Sequence, residues 1–154
     1  MRVIYIFIII IMSLFGGKDM PKYEHITEYF NKTNEIILYI NGEQTSYQTT
    51  SNIFSEVTDK LNTICIEAKE MPAFGVALDH ETREALKEGV WVELIYSQTH
   101  EYNEMPFDSL LISINRDYTG FNIIRKQNGL YDGRCFYLNL EQNMAILYDF
   151  ILSI

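Results

Sequence analysis

Between Val90 and Leu138 apolar side chains recur at every second residue in short runs, and polar turns separate the runs. Val90 to Tyr96 sets Val92, Leu94 and Tyr96 against Trp91, Glu93 and Ile95, and Ser109 to Asn115 puts Leu110, Ile112 and Ile114 on one face. Phe121 to Lys126 contributes Phe121 and Ile123, and Arg134 to Leu138 contributes Phe136 and Leu138. A period of two places alternate residues on one face of a pleated strand. The connections at Asn115 to Gly120 and Asn128 to Gly133 are too short for helical crossovers, so neighbouring strands must run antiparallel. This half of the chain therefore reads as a meander with one buried face.

The first half adds a hairpin and helices. Glu35 to Ile40 ends at Asn41-Gly42, a pair that accepts positive φ and marks a two-residue hairpin. Its partner, around Gln44 to Thr49, is thinly apolar and reads as a sheet edge. Residues 22–31 carry Ile26, Tyr29 and Phe30 at helical spacing. Ile53, Val57, Leu61 and Ile64 recur every three or four residues behind the capping candidates Ser51 and Asn52. After a short strand at Phe74 to Leu78, Asp79 is placed to cap a small helix over His80 to Glu88, which Gly89 ends. Asn139 and Gln142 form a capping box for a last helix over Leu140 to Ile154, apolar on more than half its surface. The expected fold is α+β: an antiparallel sheet of five to six strands, packed on one side by the middle and C-terminal helices.

The N-terminus departs from this pattern. Arg2 precedes an apolar run, Val3 to Phe15, broken only by Ser13 and followed by Gly16-Gly17. As a helix this run would rise about 20 Å, short of a hydrocarbon core of about 30 Å. A basic residue, an apolar core and small residues match a secretory signal, or a short anchor if left uncleaved. The expected division is 1–17 as signal-like or anchoring segment and 18–154 as a single domain, exported or membrane-anchored. Two cytoplasmic readings compete: the run of residues 3–15, β-branched at Ile8 to Ile11, as a core strand buried on both faces, or a true start at Met20.

Candidate chemistry is sparse. Cys65 and Cys135 stand far apart in sequence, without metal or redox spacing; an exported chain would join them in a disulfide, a cytoplasmic one would leave two thiols. His80 and Glu84 lie one helical turn apart and could share a metal, but a third ligand is not identifiable. His100 sits in a polar stretch, Ser97 to Asp108, with Glu101, Glu104 and Asp108; an imidazole among carboxylates in a loop could act as an acid–base pair. No glycine-rich phosphate loop or nucleophile elbow is present, and no cofactor is implied.

With 12 cations against 21 anions, the net charge of −9 repels a phosphate backbone, and nucleic acid is excluded as a partner class. A cationic protein suits the same field. The 11 tyrosines favour protein recognition, and Tyr118, Arg116, Tyr131 and Arg134, around the last turns, are the partner-binding candidates. The expected function is a non-catalytic binding protein, of the kind that masks or inhibits a partner. The rival readings are a domain holding a small ligand or lipid in an apolar pocket beneath the last helix, and a hydrolase-like enzyme built on His100.

Overall fold

The computed structural model describes residues 25–72 and 75–154. The apolar run 3–15, the boundary near residue 17 and Met20 lie outside the described residues, as does the start of the strand expected at Phe74.

An eight-stranded antiparallel sheet forms the body of the protein. Its order is β2-β1-β5-β6-β7-β10-β3, with β8 paired to β7 as well. The strands are β1 (Glu35–Ile40), β2 (Glu43–Gln48), β3 (Lys69–Met71), β5 (Val90–Tyr102), β6 (Met105–Ile114), β7 (Gly120–Gln127), β8 (Leu130–Tyr131) and β10 (Phe136–Asn139). A separate two-stranded ribbon joins β4 (Val76–Ala77) to β9 (Gly133–Arg134). The α+β class and antiparallel sheet are those read from the sequence, but the sheet is wider than five to six strands. The elements that widen it span two or three residues, too few to show any period.

One face of the sheet carries the main core. Alternate residues of β1, β5, β6, β7 and β10, among them Ile36, Val92, Leu110, Ile123 and Leu138, meet α1 (Asn52–Ile64), α3 (Ala145–Ile151) and a 3-10 helix (Ile26–Lys32). Helix α1 is capped as expected: the Ser51 hydroxyl accepts the Ile53 N–H at 3.2 Å, satisfying one orphan donor. It buries Val57, Leu61 and Ile64. The 3-10 segment retains the expected inward set, Ile26, Tyr29 and Phe30, in a tighter winding.

Four local expectations are corrected. Helix α3 begins at Ala145, not Leu140, because the Leu140 N–H is held by the Thr119 carbonyl at 2.8 Å and the Gln142 side chain donates to the Thr63 carbonyl at 2.8 Å. Residues 97–108 are not a loop. They continue β5 and β6 as one hairpin, closed at Asn103 and Glu104, which both take positive φ. Core-facing Tyr96, Tyr102 and Phe107 hold it down. A third helix, α2 (Asp79–Ala85), packs on the opposite face, so the helices are not confined to one side: Leu86, Leu111 and Tyr131 form a second core there.

The fourth correction concerns the cysteines. Cys65 and Cys135 are free thiols, not a disulfide. Cys65 packs against the main core at the end of α1, whereas Cys135 lines a hollow on the α2 face, so the sheet lies between them. Burial pushes the Cys65 thiol up to about 12. The membrane emphasis is corrected as well: among the described residues no helix is long and apolar enough to cross a bilayer.

The inward face of α3 gives a direct test of this layering. Leu147 is fully buried, while Ile146 is half exposed beside it. Leu147→Ala is expected to cost about 2–5 kcal/mol of unfolding free energy. Ile146→Ala should stay within about 0.5 kcal/mol. Urea denaturation of the two variants checks the pair, and equal losses would contradict the packing.

Candidate functional site

Two features occupy the α2 face of the sheet. The first is a carboxylate that water does not reach. Glu93, in the middle of β5, is fully buried, with Ile37 of β1 and Leu111 of β6 as its in-register neighbours. Its donors come from diagonal positions. Tyr39 of β1 donates at 2.8 Å and Tyr131 of β8 at 2.9 Å to one carboxylate oxygen; the Ser109 hydroxyl and the Lys126 ammonium, the latter at 3.2 Å, donate to the other. The register Ser109↔Lys126↔Tyr131 brings three of the four donors into one row across β6, β7 and β8.

An unpaired buried charge is strongly destabilising, so the cage is what makes Glu93 tolerable at this buried position. With two donors on each oxygen, the carboxylate offers no free lone pair towards a substrate. Its role is architectural: it fixes β8 beside β7 and, through β8, the position of α2. The Asp79 carboxylate accepts the Tyr131 N–H at 2.9 Å and the Arg83 Nε–H at 2.8 Å, and Arg83 also donates to the Gly129 carbonyl at 2.7 Å. These bonds, that from Arg83 first, hold the Asp79 carboxyl below its usual range. They also explain why Asp79 does not cap α2: its N-cap is Leu78, without a side-chain bond.

The second feature is an open groove next to this covered patch. Two adjoining hollows of about 300 and 340 Å³ share Trp91, Asn122 and Ile124 as their floor. Val76, Leu78 and Cys135 bound one; Tyr118 and Tyr137 bound the other. Large apolar side chains stand open at its rim: Val76 is 65% exposed, Leu78 57% and Tyr118 63%. The Trp91 indole N–H donates to the Glu88 carbonyl at 2.9 Å, which fixes the ring while leaving its apolar body to the groove. Among the described residues lining the two hollows, Glu81 is the one charged side chain.

The residues singled out from the sequence scatter. Tyr118 lines the groove. Arg116 is committed to Asp149 of α3, with bonds of 2.9 and 3.1 Å. Tyr131 is not a surface residue but a donor to Glu93, and Arg134 is exposed on β9. His100 does not meet Glu101, Glu104 or Asp108 in an acid–base arrangement. Its ring packs edge-on to Tyr29 and Tyr96 and beside Phe107, where burial, and then the charge of Lys32, lower its pKa. Asp108 braces the hairpin, accepting the Thr99 hydroxyl at 2.6 Å and the Asn128 N–H at 2.8 Å. Glu101 and Glu104 are exposed, and the positive φ of Glu104 belongs to the turn.

His80 is exposed and Glu84 is taken by Lys87 at 2.7 Å, which lowers the Glu84 pKa. Among the described residues no group of three metal-ligating side chains converges. Trp91, Asn122 and Ile124 escaped the sequence reading although the alternation already placed them on the face opposite the core.

The cage has a pH signature. Burial, then the charge of Glu93, raises the Tyr39 phenol to about 12 from an ordinary value near 10. A group whose pKa is higher in the folded state stabilises it fully below the unfolded value. That contribution is lost as pH rises through the folded value, here between about 10 and 12. Unfolding free energy is therefore expected to fall across this window, and less steeply in Tyr39→Phe. Parallel alkaline profiles for the two proteins would contradict the assignment.

No protein-family model, curated protein or solved structure matches the chain.

Proposed function

We propose that the protein is a non-catalytic binding domain that seats a segment of a cationic partner protein in the Trp91 groove. The observation that carries this reading is the groove itself: a concave strip of aromatic and aliphatic side chains left open on the α2 face of the sheet. Contiguous exposed apolar surface is costly in water and marks a place of contact. Tryptophan and tyrosine give such a surface much contact area with little side-chain entropy to lose. Trp91 and Tyr137 stand on strands, so the surface is largely formed before a partner arrives.

Charge selects the partner class. The groove lining carries Glu81 and no lysine or arginine among the described residues, and the whole chain sums to −9. A basic segment is drawn by that field and can lay ammonium or guanidinium groups over the aromatic rings. The candidate acid–base residues favour no catalytic alternative, since His100 is enclosed by rings and Asp108 is committed to the backbone. Beneath the last helix Met144, Leu147 and Ile151 are fully buried in the main core, which lends the ligand-pocket reading no support.

The test uses the exposed floor position Asn122. A photo-reactive residue placed there should cross-link in the source cell to a protein with a basic surface, while one at Asp59, on the far side of the molecule, should not. Asn122→Lys places a like charge against such a partner and should cut its retention by about tenfold or more. Equal cross-linking from both positions, or retention unchanged by Asn122→Lys, would overturn the proposal.

A further inference from the structure

A sheet that ends in water exposes unpaired amides and carbonyls, and the two edges of this sheet differ in how they are guarded. The β3 edge is three residues long, carries Lys69 in an ion pair with Glu141 at 3.1 Å, and is followed by Pro72. The β2 edge is six residues long, pairs with β1 without a bulge, and contains no lysine, arginine or proline. All of its side chains except Tyr47 are exposed.

The direction of its free groups follows from the hairpin. The Asn41 N–H donates to the Gly89 carbonyl at 2.8 Å, which turns the odd-numbered residues of β1 towards β5 and the even-numbered ones towards β2. With Ile40 opposite Glu43 across a two-residue turn, residues 43, 45 and 47 bond inward and residues 44 and 46 face the open edge. The Gln48 carbonyl is already taken by the Ser51 N–H at 2.8 Å. The edge thus offers a short, uncharged pairing segment at Gln44 and Ser46.

We propose that β2 pairs antiparallel with β2 of a second copy of this chain, joining two sheets edge to edge. A two-fold axis beside Thr45 sets Gln44 against the second copy's Ser46 and Ser46 against its Gln44, each pair exchanging bonds between groups that have no backbone partner among the described residues. Thr45 then faces the second copy's Thr45, a favourable cross-strand pair, and Glu43 faces its Tyr47, so no like charges are opposed. On the main-core side, a hollow of about 220 Å³ lined by Leu38, Ile40, Glu43, Thr45, Tyr47 and Ile154 lies beside this axis, and the second copy's Tyr47, opposite Glu43, covers its rim. An unrelated strand could use the same amides, but it would not need this self-complementarity. In a chain of net charge −9, an edge segment with one carboxylate brings little like charge into the contact.

Light scattering on the full chain over a dilution series, with amide exchange followed residue by residue, tests the pairing. The expected result is a dimer at high concentration, with Gln44 and Ser46 amides slowed by about tenfold or more and released on dilution. Thr45→Lys apposes two ammonium groups across the axis, and Ser46→Pro removes an outward donor without touching the β1 ladder. Each should give a monomer whose melting temperature stays near that of the wild type at dilutions where the wild type is itself monomeric, and below it at concentrations where the wild type is dimeric. The two serve as controls for one another should either misfold. A wild-type monomer at every concentration overturns the proposal, as does a dimer that survives both substitutions. Protection of these amides that ignores dilution overturns it too, since other residues of the same chain would then cover the edge.

Discussion

A carboxylate stripped of water in the middle of a sheet has to be answered by donors from every side, and Glu93 imposes that demand on the whole α2 face. Its four donors come from β1, β6, β7 and β8, so the strands must be in register before the charge is satisfied. Desolvating such a pair costs several kcal/mol per ion, and the attraction to Lys126 offsets this only with the remaining lone pairs occupied. The cage thereby favours one register and one position for β8. Through Tyr131, Asp79 and Arg83 it carries that choice to α2.

The proposed binding surface is a consequence of where this cover stops. Leu86, Leu111 and Tyr131 close the half of the face nearest Glu93, and Trp91, Asn122 and Ile124 remain open beside it. Trp91 belongs to both regions. It packs against the second core, is held by the Glu88 carbonyl, and forms the groove floor. A surface tied so directly to a buried polar cage loses little conformational freedom on binding, which favours affinity without a large interface. Under the proposed reading, the acidic field would favour basic partners.

Much of this fold was legible in the residues. The alternation through Val92 and Leu94, Leu110 and Ile112, and Phe121 and Ile123 located the central strands and their buried face, and Asn41-Gly42 located the hairpin whose outer strand is an edge. The Ser51 cap and the stripe at Val57, Leu61 and Ile64 located α1. What failed did so for identifiable reasons. The polar outer face of residues 97–108 concealed the inward set Tyr96, Tyr102 and Phe107, and a turn at Asn103-Glu104 lacks the glycine that announces Asn41-Gly42. The Asn139 box lost to tertiary bonds from Thr119 and Thr63. Glu93 sat on the face assigned to solvent, and no local signal reveals that α2 would cover it. The cysteine pair illustrates the same limit: spacing along the chain says nothing of a sheet lying between two thiols.

The central claim is that the Glu93 cage holds the α2 layer in place and so defines the groove. Native-state hydrogen exchange on Glu93→Gln tests it most directly, because the loss of charge weakens the cage while preserving side-chain volume. The account predicts that amides of residues 79–86 and 130–134 open at markedly lower free energy, while those of α1 and of the β1–β5 ladder keep most of their protection. A uniform loss across the whole sheet, or no change in residues 79–86, would contradict it.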